Sequence, residues 1–125
     1  MSIIAFNTAF TSDYYLKRDV EKKTPFKIGV MDSLERMYFS EKLVTAKKKS
    51  FVLYEMVRLK LKGWENLVDH EGKPVLFETE TVELEDIGNR AVATKRCMDA
   101  IAPWIIEISK AISEINRLAE QDEKN

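Results

Sequence analysis

Ile101-Ala102-Pro103-Trp104-Ile105-Ile106-Glu107-Ile108-Ser109-Lys110-Ala111-Ile112-Ser113-Glu114-Ile115-Asn116-Arg117-Leu118-Ala119 is the stretch on which the fold turns. Within it Ile101, Ile105, Ile108, Ile112, Ile115 and Ala119 follow one another at spacings of 4, 3, 4, 3 and 4. Side chains advance by about 100° per residue on an α-helix, so these positions form one stripe. Glu107, Lys110, Glu114, Arg117 and Gln121 recur on the opposite face. The spacing predicts an amphipathic C-terminal helix, and Pro103 either kinks a longer helix or starts this one. The stripe has two uses: packing inside the monomer, or forming a seam with a partner or a second copy. Isoleucine at most seam positions disfavours a simple parallel dimer. Trp104 lies beside the stripe and widens it.

Working upstream, Thr81 reads as the cap of a further helix, with Glu83, Glu85 and Asp86 in its first turns and Leu84, Ile87, Ala91 and Met98 on its apolar side. Before it, Gly63–Phe77 holds a turn at Asp69–Lys73, where Gly72 is free to take a positive backbone dihedral. Short apolar segments flank that turn, so a small hairpin or compact loop is expected. Trp64 anchors it to the helices, with one N–H to satisfy. Residues 50–62 are ambiguous. Val57–Lys62 alternates like a strand, but the run before it is apolar on every side and rich in helix formers. A helix continuing to Gly63 is the expectation.

A helix begins at Asp32, where Glu35 completes a capping box, and Leu34, Met37 and Tyr38 share a face of it. It fades at Lys47-Lys48-Lys49, a solvated corner whose other use is contact with phosphate or an acidic partner. Phe26–Val30 alternates as a short strand after Pro25. Residues 1–24 form an N-terminal arm in which Ile3, Ile4, Phe6 and Phe10 can dock and Lys17–Lys23 stays solvated. The organisation is an arm at 1–24, one mostly helical domain at 25–121 and a disordered tail at 122–125. The fold class is mainly α within α+β, a small helical domain with a hairpin or loop insertion and a C-terminal amphipathic helix.

A chain of 125 residues, 45% hydrophobic, suits one domain with a real core. Its 20 basic and 21 acidic residues nearly cancel, which removes the electrostatic reason for a general nucleic-acid or anionic-membrane partner and eases self-association. The N-terminus lacks the pattern of a signal peptide, and no stretch is apolar enough to span a bilayer. Cys97 is the sole cysteine, so a reducing compartment is expected. Together with His70, the sole histidine, it leaves little for a zinc site.

His70 reads as a surface residue and Cys97 as a structural thiol. The acids from Glu78 to Asp86 read as a solvated helix start rather than an acid/base pair. Four glycines make no phosphate loop and no dinucleotide fingerprint. The expectation is a protein that is not an enzyme, with no catalytic residue, metal or cofactor.

The segment 63–77 resembles a loop recurrent in small tail-assembly chaperone proteins of tailed bacteriophages. Gly63 and Trp64 match its glycine–tryptophan pair, Asp69, Gly72 and Lys73 its turn, and Val75 and Phe77 its apolar segment. Pro103, the Ile105–Ile115 stripe and Glu123-Lys124-Asn125 resemble the family's C-terminal arrangement. The resemblance covers residues 50–125. It implies a non-enzymatic protein that binds the tape-measure protein, keeps it soluble and helps recruit tail-tube subunits. It also implies action in the cytoplasm of the infected bacterium, absence from the mature virion, and in some members a longer frameshifted form. Trp64, Trp104, Ile105, Ile108, Ile112 and Ile115 are the expected residues for a partner or for homo-oligomerisation. Two other readings stand beside it: a structural head–tail connector or minor tail protein, and a small nucleic-acid-binding regulator resting on Lys47–Lys49.

Overall fold

A computed structural model describes residues 2–124, with the side chains of residues 2–117. The chain is α+β. Strand β1 (Thr11–Tyr14) leads to β2 (Phe26–Gly29), helices α1 (Ser33–Thr45) and α2 (Lys49–Lys60), and strand β3 (Leu61–Trp64). A hairpin of β4 (Thr79–Leu84) and β5 (Gly88–Ala93) follows, then α3 (Lys95–Ala100), a 3₁₀ turn (Ala102–Trp104) and α4 (Ile105–Lys124).

One antiparallel sheet has the order β1-β2-β3. Its central strand buries Phe26 and Ile28 and pairs Tyr14 with Phe26 and Phe26 with Trp64. Helix α4 lies across this sheet and against α2, burying Ile108 and Ile112 completely. Each such burial contributes about 1.5–3 kcal/mol relative to exposure. The stripe is thus first a core element. Ala119 and the tail expected at 122–125 lie outside the residues with described side chains.

Asp32 caps α1 as its sequence suggests: its carboxylate accepts from Glu35 N at 2.9 Å, and Glu35 Oε1 accepts from Asp32 N at 3.0 Å. Glu35 is also buried, and it receives Lys60 Nζ at 2.8 Å and Arg90 Nε at 3.1 Å. A local cap therefore doubles as a tertiary junction among α1, α2 and β5. Asn116 makes a second junction. It accepts from Met31 N at 2.8 Å and donates to Ile112 O at 2.7 Å, tying α4 to the β2–α1 connection.

The ambiguous stretch resolves into both readings in turn. Helix α2 ends at Lys60, and the alternation Leu61-Lys62-Gly63-Trp64 becomes β3 with no loop between them. The helix expected to begin at Thr81 is instead the β4–β5 hairpin, paired from Thr79↔Ala93 to Leu84↔Gly88. The acids there are not a helix start. Val82 and Leu84 turn inward while Thr81 and Glu83 face out, a period of two, and the turn holds Asp86 at φ 73° and Gly88 at φ 83°. Helix begins only at Lys95, after Thr94, whose side chain caps α3 by accepting from Cys97 N.

The arm at 1–24 divides. Residues 11–14 join the sheet, Leu16 enters the core, and Glu107 of α4 accepts both Tyr14 OH at 2.5 Å and Lys17 N at 2.8 Å. Phe6 rests on the Arg36 guanidinium, whereas Ile3 and Ile4 are exposed. The docking residues are thus chiefly Tyr14 and Leu16 rather than the apolar pair at the start. Among the described residues no helix is long and apolar enough to cross a membrane.

Candidate interaction surface

Trp64 sits in β3, packed edge-on to Phe26 and Phe77, and its Nε1 donates to Val75 O at 2.7 Å. The loop it holds closes on itself. Val68 bridges Pro74, Asp69 N donates to Lys73 O at 2.8 Å, and Asp69 Oδ1 accepts from Glu71 N and Lys73 N. Gly72 takes φ 81° at the tip. Trp64 does anchor the loop, but to the sheet through Phe26 rather than to the helices as expected, and the residue is only 8% exposed.

The remaining expected partner residues separate by depth. Ile108 and Ile112 are fully buried and unreachable by a partner while the protein is folded. Ile115 is half-buried beside the core, and Trp104 is half-buried with the Arg18 guanidinium over its ring. Ile105, by contrast, lines an open apolar groove.

That groove, about 320 Å³, is bounded by Ser50, Phe51 and Tyr54 of α2 and by Ala102, Ile105 and Ile106 at the start of α4. Phe51 beside Ile105 at one end, and Ser113 Oγ 3.8 Å from Met56 Sδ further along, mean that α2 and α4 run side by side in the same direction. Phe51 is 67% exposed and Ile106 46%. Both side chains are large for that exposure and contiguous, which distinguishes them from singly scattered surface apolar residues. Sequence reading missed Phe51, Tyr54, Ala102 and Ile106. Ala102 and Ile106 are four apart and off the main stripe, and that second, shorter apolar row was the available signal.

Lysines adjoin the groove at the start of α2 and one turn along α4. Lys48 Nζ stands 6.0 Å from the Phe51 ring centroid, Lys47 and Lys49 adjoin it, and Lys110 lies one turn beyond Ile106. All four are exposed, and no ion pair joins any of them to a carboxylate among the described residues. The nearby acids are engaged elsewhere, Glu107 with Tyr14 and Asp99 with Lys95 at 2.8 Å. The first turn of α2 carries no acidic residue and no side-chain cap.

A second cleft, about 340 Å³, lies between the outer face of α1 (Leu34, Met37, Glu41) and the β4–β5 turn (Glu85–Ile87). It mixes charges of both signs, with Lys42 over the Tyr38 ring and Tyr38 OH donating to Glu55. Burial and the Glu55 hydrogen bond push the Tyr38 hydroxyl pKa up.

Candidate chemistry elsewhere is thin. Among the described residues no group of three or more His, Cys, Asp or Glu gathers to hold a metal. His70 is exposed in the loop. Cys97 is buried, its sulfur 3.3 Å from Glu78 N and near the carbonyls of Leu76 and Glu78, a packed thiol with no base beside it. The acids from Glu78 to Asp86 are partly paired, Glu78 with Arg96 and Glu80 with Arg58. Compared with known protein families, with curated proteins and with solved structures, the chain matches none.

Proposed function

We propose that this chain is a non-catalytic assembly chaperone or adaptor of a tailed bacteriophage. It binds the tape-measure protein, keeps it soluble and helps bring tail-tube subunits to it. It acts in the infected bacterial cytoplasm and leaves before the virion is complete. The observation that carries this reading is the open apolar groove of Phe51, Tyr54, Ala102, Ile105 and Ile106. Two parallel helices with a furrow between them accept the side-chain ridge of a third helix. A long, largely helical client exposes many such ridges before its tube forms, and covering them one by one is what keeps it in solution. The Trp64-anchored loop at 63–77, where the likeness to this family resides, adds support as a self-contained feature at the other end of β3.

The test is co-expression with the tape-measure protein of the same phage, followed by size-exclusion chromatography with light scattering. Co-elution, with rescue of a client that is insoluble alone, is the expected result. A client that stays insoluble, with this chain forming a stable ring by itself, would move the assignment to a structural connector or tail component.

A further inference from the structure

We propose that the α2–α4 groove selects helical segments whose apolar ridge is bordered by acidic residues. Two observations combine. The floor and walls are apolar, from Phe51, Tyr54, Ala102, Ile105 and Ile106. Beside it stand cations: Lys48 over the Phe51 ring, Lys47 and Lys49 as its chain neighbours, and Lys110 one helical turn past Ile106, all exposed and without ion pairs to the described carboxylates. On a chain whose charges nearly cancel as a whole, this is a local excess of one sign beside a desolvating site.

An apolar ridge alone would fit many helices, so the groove by itself supplies affinity with little choice. The lysines supply the choice. An incoming helix with Asp or Glu flanking its ridge gains attraction at the rim and faster encounter, and one with Lys or Arg there meets repulsion. The occupant is therefore an acidic amphipathic helix. A nucleic acid is a poor match despite the lysines, because the centre of the site is apolar and offers phosphate nothing. Identification of that helix with part of the tape-measure protein rests on the function proposed above, whereas the charge selectivity of the groove does not.

The probe is a fluorescein-labelled helical peptide with leucines on one face and glutamates on its flanks, titrated with the full chain by fluorescence anisotropy. The glutamate peptide should bind at least about tenfold more tightly than a copy with lysine flanks, with a difference that shrinks as salt rises. Ile106→Asp should abolish binding of the glutamate peptide while leaving the circular dichroism spectrum unchanged, because that side chain is already half exposed. The double variant Lys48→Glu and Lys49→Glu should reverse the preference between the peptides. Equal binding of both peptides, or unchanged binding by Ile106→Asp, overturns the proposal. The two proposals fail separately. If both peptides bind equally while the chain still co-elutes with the tape-measure protein, the charge selectivity falls and the chaperone reading stands. If the acidic peptide binds but the tape-measure protein does not, the reverse holds.

Discussion

At the scale of single residues, depth separates two roles on one helix. Ile108 and Ile112 belong to the core, and Ile106 two positions away belongs to the surface. Ile112→Ala should lower the unfolding free energy by about 2–5 kcal/mol in urea titration, and Ile106→Ser should leave it within about 0.5 kcal/mol. The periodicity exposed the stripe but not its use, since a stripe facing its own sheet and one facing a partner have the same spacing. Glu35 illustrates a different limit. Its capping role follows from its distance to Asp32 in sequence, but Lys60 and Arg90 reach it only through the tertiary fold. Removing one member of a buried pair leaves the other uncompensated, so Glu35→Ala should cost about 3–5 kcal/mol by the same titration, well above a simple cap loss. Tyr14 offers a pH signature. Burial, then the hydrogen bond to Glu107, pushes its pKa up to about 12 from 10.0. The unfolded chain ionises this phenol first, so its contribution to stability is whole below pH 10 and fades as pH climbs toward 12. Absorbance at 295 nm should show a late-titrating tyrosine that diminishes in Tyr14→Phe.

At the scale of elements, the sequence was informative wherever a local rule had no rival. Asp32 and Glu35 placed the start of α1, Phe26 to Val30 placed a strand that ends at Gly29, and Gly72 placed the loop tip. The β4–β5 hairpin was misread because Glu83, Glu85 and Asp86 carry the charge favoured at a helix start and Thr81 can act as a cap. Those rules were outweighed by alternation on β4 and by Asp86-Ile87-Gly88, which turns the chain through left-handed backbone at Asp86 and Gly88. Gly88→Ala would place a Cβ in that conformation and should destabilise by about 1–2 kcal/mol although the space around it is open. The same competition explains 50–64. Periods of 3.6 and 2 succeed each other without a glycine or proline between them, so no punctuation marked the change at Lys60.

At the scale of the whole molecule, the core accounts for most of the apolar residues that drew attention in the sequence, and the proposed interaction surface is built largely from those that did not. Phe51 lay in a run apolar on every side, where no face could be assigned, and Ile106 lay off the main stripe. Only the packing of α2 beside α4 brings them together. The lysines of the wet corner are exposed, and Lys48 among them stands over Phe51 at the edge of an apolar furrow. The central claim is that this furrow holds the client. Hydrogen–deuterium exchange of the chain, alone and in the presence of the tape-measure protein, tests it most directly. The account predicts slowed exchange in α2 around residues 50–54 and at the start of α4 around residues 102–106, with the loop at 63–77 little changed. Slowed exchange confined to that loop or to the outer face of α1, with the furrow unaffected, would contradict it.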